Sequence, residues 1–163
     1  MSTEPHRSRA DTYAELTPHL HRRWMKYGKS DVDLYPAHLG LVMEDVRVDY
    51  CRMRLPWRSE ISQAFGVAHG GAVAGLLDSV LVPAIGAGYD EPVRFSTVAL
   101  SMQFIGALKD EDAVAEGWIT QRGRSVIFGE AEVLGATSGR LVARGQLTFS
   151  VSGPKPVVVP GKG

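Results

Sequence analysis

The chain carries a single cysteine, Cys51, so no disulfide can form within it. Its 18 Lys and Arg balance 18 Asp and Glu, which leaves no global field to draw in nucleic acid or an acidic surface. The first 29 residues do hold six Arg/Lys against three Asp/Glu, an excess that reads as a solvated helix face. No uninterrupted apolar run is long enough to span a bilayer, because the one after His69 is broken by Asp78, Pro83 and three glycines. The opening MSTEPHRSRAD lacks the apolar region of a secretory leader. A cytoplasmic protein with no nucleic-acid or membrane partner is therefore expected. No internal repeat is present.

What remains is an ordinary globular composition of 44% hydrophobic and 22% charged residues, and 163 residues suit one domain with a substantial core. From Arg9 to about Lys29 the residues Tyr13, Leu16, Leu20, Trp24 and Tyr27 recur at spacings of three and four, a helical period. Pro18 splits this stretch or starts its second helix, Gly28 stops it, and residues 30–37 form a polar connector. Two strand-like stretches, LGLVMEDV and VDYCRMRL, follow between Leu39 and Pro56, and SEISQAFGV reads as a loop. Cys51 falls in the second stretch as a buried, inert thiol. A long apolar helix is expected from about Gly70 to Gly86, with Pro83 kinking or shortening its last turn.

Beyond the turn YDEP the period changes to two. Val98, Leu100, Met102 and Phe104 alternate with Thr97, Ala99, Ser101 and Gln103. AVAEGWIT and SVIFGEAEVL form two further strands around the turn QRGR. In the last strand, Leu141, Ala143, Gly145, Leu147, Phe149 and Val151 share one face. The Pro/Gly-rich tail from Gly153 and the polar residues 1–8 are expected to lack regular structure. The sum is an α+β domain in which an antiparallel sheet of about six strands wraps one long central helix. The divisions are an N-terminal helical extension (1–38), the main domain (39–152) and a tail (153–163). A sheet covers one side of such a helix, so a second copy of the chain is expected against the other.

Asp78 stands out. From Ala72 to Ala87 the chain reads AVAGLLDSVLVPAIGA, where only Asp78 and Ser79 are polar. A helix apolar all round is buried, and a carboxylate there is paired, protonated or held for chemistry. A carboxylate satisfied by a backbone amide or a cation is the bland alternative.

The order Gln63, then His69-Gly70-Gly71, then Asp78 resembles the hotdog-fold thioesterases, in particular the phenylacetate-pathway and 4-hydroxybenzoyl-CoA thioesterase branch. Those enzymes carry Asn or Gln, then HGG six residues later, then Asp or Glu nine residues after the His, and both spacings are met here. The resemblance runs from about Leu39 to Ser152. It implies hydrolysis of an acyl- or aroyl-CoA to free acid and CoA by a homodimer or a dimer of dimers. No metal and no cofactor other than the coenzyme A of the substrate is implied. Chemistry supports the same roles. A developing oxyanion suits free amides at a helix N-terminus, and Gly70 sits there without a side chain to block approach. Asp78 serves as general base on a water or as direct nucleophile, and Gln63 orients thioester or water. In the resembling family His69 shapes the turn; direct proton transfer by it is the alternative.

Gly70 and Asp78 are separated by about 12 Å of helix, so one small carbonyl cannot touch both within one chain. Asp78 must then come from the partner, as it does in the resembling enzymes, and two shared sites follow. Thr97, or its neighbour Ser96, falls where some of these enzymes place a hydroxyl that steadies the water; a backbone-bonded strand hydroxyl is the alternative. Gly71 and the turn Arg122-Gly123-Arg124-Ser125 are candidate substrate contacts, the turn for CoA phosphates, although a charged hairpin turn looks the same. Trp118 and Phe128 could line an acyl pocket or simply pack. Gly75, Ala74 and Ala72 leave space along the helix for an acyl group. His6, His19, His21 and His38 lack carboxylates at ligand spacing. Two other readings stay open: a non-catalytic acyl-CoA binding protein, and a hotdog hydratase or dehydratase.

Overall fold

The computed structural model describes residues 9–29 and 34–153. The expectations for residues 1–8, for the connector at 30–33 and for the tail beyond Gly153 lie outside the described residues. A 3-10 turn at Arg9–Thr12 leads into helix α1 (Pro18–Trp24). Pro18 occupies the first turn, where its missing N–H is no loss, and Thr17 Oγ1 caps it by accepting from the Leu20 amide at 3.5 Å. Pro18 thus starts the helix. Gly28 ends the segment in the left-handed region, at φ 78°. A four-residue helix α2 (Tyr35–His38) stands where only a connector was expected, too short to leave a period in the sequence.

Strands β1 (Val42–Arg47) and β2 (Tyr50–Leu55) follow, joined through Asp49 at φ 65°. Helix α3 (Gly70–Gly86) comes next, then β3 (Arg94–Phe104), β4 (Ala113–Arg122), β5 (Val126–Gly135) and β6 (Leu141–Ser152). One antiparallel sheet holds all six in the order β1-β2-β4-β5-β6-β3, with α3 laid across its concave face. This is the hotdog fold. Leu76, Leu77, Val80, Leu81, Ala84 and Ile85 of α3 are fully buried, in one core with Met53, Leu55, Ala115, Ile127 and Leu147. The sheet is bare where the helix crosses. A Cβ on Gly117 would lie 2.8 Å from Val80, and one on Gly129 would lie 3.0 Å from Leu81. Pro83 does not end α3, which runs three residues further.

The two sheet edges differ. β1 is short, bulged between Met43 and Asp45, and carries charge. β3 is eleven residues long, with Val98, Leu100, Phe104 and, just past its end, Ile105 exposed. Long apolar edges invite pairing unless something covers them.

The segment before β1 wraps around the β1 edge. On the convex face Tyr13 stacks on buried Tyr50, and the Arg9 guanidinium lies 3.6 Å from the centre of the Trp118 ring. On the helix side, Trp24 packs where a Cβ on Gly86 would stand, and Tyr35 and Leu39 pack where one on Gly75 would stand. The outward side of α3, expected to need a second copy, is therefore partly covered by the chain's own extension. Burying aromatic rings against a nearly all-apolar helix is the driving force. No helix among the described residues is long and apolar enough to cross a membrane.

Candidate active site

The start of α3 is built from the loop before it. Gln63 closes a tight turn, its amide donating to Val67 O at 2.8 Å while its carbonyl accepts from Gly66 at 2.9 Å. Its side-chain Oε1 accepts from the Phe65 amide at 3.0 Å, which leaves Nε2 as the group able to meet a ligand. His69 is then anchored by donating its amide to Ile61 O at 2.7 Å.

His69 is the N-cap of α3. Its Nδ1 accepts from the Gly71 amide at 2.9 Å, and its carbonyl accepts from Ala72 and Val73. Of the four leading amides of the helix, three are thereby taken. Among the described residues no acceptor takes the Gly70 N–H. One free donor at the positive end of a helix is what an oxyanion requires. Gly71 is spent on the cap, so its amide is not a second oxyanion donor. A Cβ on Gly70 would lie 3.2 Å from the tip of the exposed Phe104 ring.

Asp78 lies two turns along, on the outward side of α3 and half-buried. Thr97 Oγ1 donates to Asp78 Oδ1 at 2.9 Å. Alternation puts Thr97 with Ala99, Ser101 and Gln103, but the structure corrects that assignment. β3 is bulged at Val98, so Thr97 opposes Phe149 while Ala99 opposes Thr148. Phe149 faces the core, so the bulge turns Thr97 towards α3. Neither sequence reading of Thr97 named this partner. Ser96 opposes exposed Ser150 on the other face, away from Asp78. A hydroxyl there cannot steady a water at Asp78.

The Arg122–Ser125 turn lies at the far end of α3, roughly 10 Å beyond Asp78 along the axis. Arg122 folds inward. Its Nε and Nη2 donate to Asp49 Oδ1 at 3.0 and 2.7 Å, Nη2 also reaches Ala84 O and Ile85 O, and its guanidinium lies 5.0 Å from the Tyr89 ring centre. It caps the helix C-terminus with the charge that end favours. Gly123 donates its amide to Val126 O at 2.9 Å. Arg122 and Gly123 are thus committed to the fold, and Arg124 and Ser125 are the exposed members of the turn. Trp118 and Phe128 lie on the convex face, so neither lines a pocket beside α3. Cys51 is fully buried, and burial pushes its thiol well up, as an inert thiol should be.

Tyr27 was missed by sequence reasoning as a neighbour of Asp78. Burial raises its hydroxyl to about 12; pairing with Ser79 works against that, and the Asp78 charge adds to it. The available signal was the spacing that sets Tyr27 three residues after Trp24, whose ring lies 6.4 Å from that of Tyr27 and fills the space over Gly86. Two surface hollows, of about 340 and 420 Å³, lie elsewhere, on the convex face beside Trp118 and between α1 and β1.

Residues 65–142 match the family model of the Thioesterase superfamily. The fold is shared with "conserved protein PA5202" of Pseudomonas aeruginosa, at 26% identity over 80% of this chain and 98% of that one, with a TM-score of 0.71. It is shared also with the thioesterase HI1161 of Haemophilus influenzae, at 19% identity over 74% and 83% and a TM-score of 0.69. The PaaI protein from the phenylacetic acid degradation operon of E. coli matches at 13% identity over 82% and 96%, with a TM-score of 0.71. No curated protein sequence matches the chain. Its sheet and central helix give the chain the hotdog fold, and residues 65–142, which include the HGG turn, are similar to the Thioesterase superfamily.

Proposed function

We propose that this protein is an acyl-CoA thioesterase, cleaving an acyl- or aroyl-CoA to free acid and CoA at two shared sites in a cytoplasmic homodimer. The observation that carries the reading is the pairing of one free oxyanion donor, Gly70 N–H, with a carboxylate oriented by a hydroxyl, Asp78. In the general-base form, Asp78 takes a proton from water as the oxygen adds to the thioester carbon. The carbonyl oxygen becomes the oxyanion held by Gly70 of the second copy. The intermediate collapses with cleavage of the C–S bond, and the CoA thiolate recovers the proton from Asp78. In the nucleophilic form, the Asp78 carboxylate adds to the carbon and expels the thiolate, and water then hydrolyses the mixed anhydride. Oδ1 is held by Thr97 in either form, leaving Oδ2 to act.

Several features support the shared site. The two groups are about 12 Å apart in one chain. The β3 edge offers Val98, Leu100 and Phe104, an apolar strand suited to pairing with its own copy. Gln63 Nε2 is placed to orient the thioester, His69 positions the turn, and Arg124 and Ser125 are the exposed groups for CoA phosphates. A binding protein without turnover is the second reading, favoured only if Asp78 is dispensable.

Thiol release from a panel of saturated, hydroxy-, enoyl- and aroyl-CoAs, with wild type beside Asp78→Asn, tests this. Turnover that collapses in the variant is the expected result. Equal rates in both sink the mechanism, and hydration of the enoyl thioesters without thiol release would make the protein a hydratase.

A further inference from the structure

The space that Gly75 opens along α3 is already filled. A Cβ there would lie 2.8 Å from Leu39 Cδ1 and 2.8 Å from Tyr35 Oη, and both side chains belong to the segment that precedes the sheet. Ala72 offers no room either, being buried in the core. Gly75 sits one turn before Asp78 on the outward side of the helix, and residues at that spacing hold their Cβ atoms about 5–6 Å apart. Helical side chains lean towards the N-terminus, so Asp78 inclines towards the same notch.

The two side chains are held there for different reasons. Leu39 is 6% exposed and packs in the core, whereas Tyr35 is 56% exposed and touches the helix through its hydroxyl end. The backbone beneath them is fixed: Leu41 donates to Pro36 O at 3.0 Å, and Arg58 donates to His38 O. An exposed ring on a fixed backbone, beside the reacting carboxylate, is a wall that a substrate would meet. No residue of α3 itself provides such a wall, since Ala74 and Gly75 are small.

We propose that Tyr35 and Leu39 are specificity-determining residues that limit the size of the acyl group accepted beside Asp78. Substrate range is then set by the segment before the sheet rather than by the helix that carries the chemistry. This rests on the thioesterase reading above. Removing the Tyr35 ring opens the Gly75 notch and lets a longer or bulkier acyl group lie along α3, while the thioester carbon stays where Asp78 and the partner's oxyanion donor hold it.

The test is the ratio of kcat/KM for decanoyl-CoA to that for acetyl-CoA, measured on the full chain for wild type, Tyr35→Ala, Leu39→Ala and Phe128→Ala. Tyr35→Ala is expected to raise the ratio about tenfold or more, through KM for the long substrate, as a methylene-scale change in an apolar pocket does. Phe128→Ala, on the convex face, should leave the ratio alone. Leu39→Ala removes core packing, so Tyr35→Ala decides the matter if that variant does not fold. Hydrolysis by wild type with a ratio unmoved in Tyr35→Ala overturns this inference and spares the thioesterase reading. Absence of turnover in wild type overturns that reading instead. Calorimetric Kd values for decanoyl-CoA and acetyl-CoA then decide: a changed preference in Tyr35→Ala upholds the wall, and an unchanged preference or no binding removes it.

Discussion

Thr97 Oγ1 and Asp78 Oδ1 stand 2.9 Å apart, joining the edge strand β3 to the middle of α3. The bond spends one carboxylate oxygen on orientation and leaves the other for chemistry. Thr97→Val keeps the shape and removes the donor. A hydrogen bond to a charged group is worth about 1.5–3 kcal/mol, so kcat should fall by roughly ten- to a hundredfold with KM little changed. Thr97→Ser should restore most of it. A Thr97→Val enzyme with unaltered kcat would leave Asp78 oriented by something else.

That bond shows where sequence pattern stops. The limits of α3 were legible because Gly70 opens and Gly86 closes an apolar run that no other element could bury. The last four strands were legible from period two and from their turns, and the first two as strand-like stretches closed by Pro56. The bulge at Val98 was not, since one extra residue in a strand leaves alternation intact on both sides while turning Thr97 over. Arg122 was misplaced for a related reason. Its partners Asp49, Ala84 and Ile85 are far away in sequence, and a guanidinium in a turn looks the same whether it faces water or a helix end. The role of the N-terminal segment followed from packing against Gly75 and Gly86, which no periodicity encodes.

His69 acts on stability through the cap. His69→Ala frees the Gly71 amide and should cost about 1 kcal/mol, lowering Tm by roughly 2–4 °C for a chain of this size. His69→Asn supplies a side-chain acceptor of the preferred type and should recover most of that loss. A calorimetric scan of the three proteins checks it. If His69→Asn keeps the Tm but abolishes thiol release, the imidazole takes part in proton transfer.

The two arginines of the β4–β5 turn should separate cleanly. Arg122 is 12% and Asp49 18% exposed at the side chain, so Arg122→Met strands a largely buried carboxylate and uncaps α3, at about 3 kcal/mol. Arg124→Ala should leave the urea midpoint unchanged and raise KM for CoA thioesters, more so at low salt. Urea melts beside KM values measured at two ionic strengths decide the assignment. An unmoved KM in Arg124→Ala places the CoA phosphates elsewhere.

Glu44 on β1 sets an acid limit. Burial works to raise its carboxyl, but hydrogen bonds and charge from Arg52 and Arg54 prevail and hold it below the usual 4.5. A carboxyl lowered by folding contributes stability in full above its unfolded value. That contribution is lost as pH falls from about 4.5 through the lower folded value. Urea midpoints across this range should therefore decline in wild type and decline less in Glu44→Gln. Parallel curves would mean that the Glu44–Arg pairs contribute nothing.

The shared site makes a prediction that no single-chain mechanism reproduces. Gly70→Pro deletes the free N–H and puts the proline ring where the oxyanion would approach. Position 70 is the first residue of α3, where proline is tolerated, and His69 already has the extended conformation required before proline, at φ −66° and ψ 135°. The added Cβ would press on the movable tip of Phe104. Loss of an oxyanion donor should lower kcat by roughly a hundred- to a thousandfold while the melting curve holds. Asp78→Asn should be inactive for the complementary reason. Mixed in equal amounts and allowed to exchange subunits, the two dead proteins should form heterodimers in half the population. Each heterodimer has one site that combines Asp78 of one chain with Gly70 of the other, so about one quarter of wild-type activity should return. If both groups acted within one chain, no heterodimer would contain an intact site and nothing would return. Recovery therefore places the oxyanion donor and the carboxylate on different copies, and its absence in verified heterodimers removes the shared site.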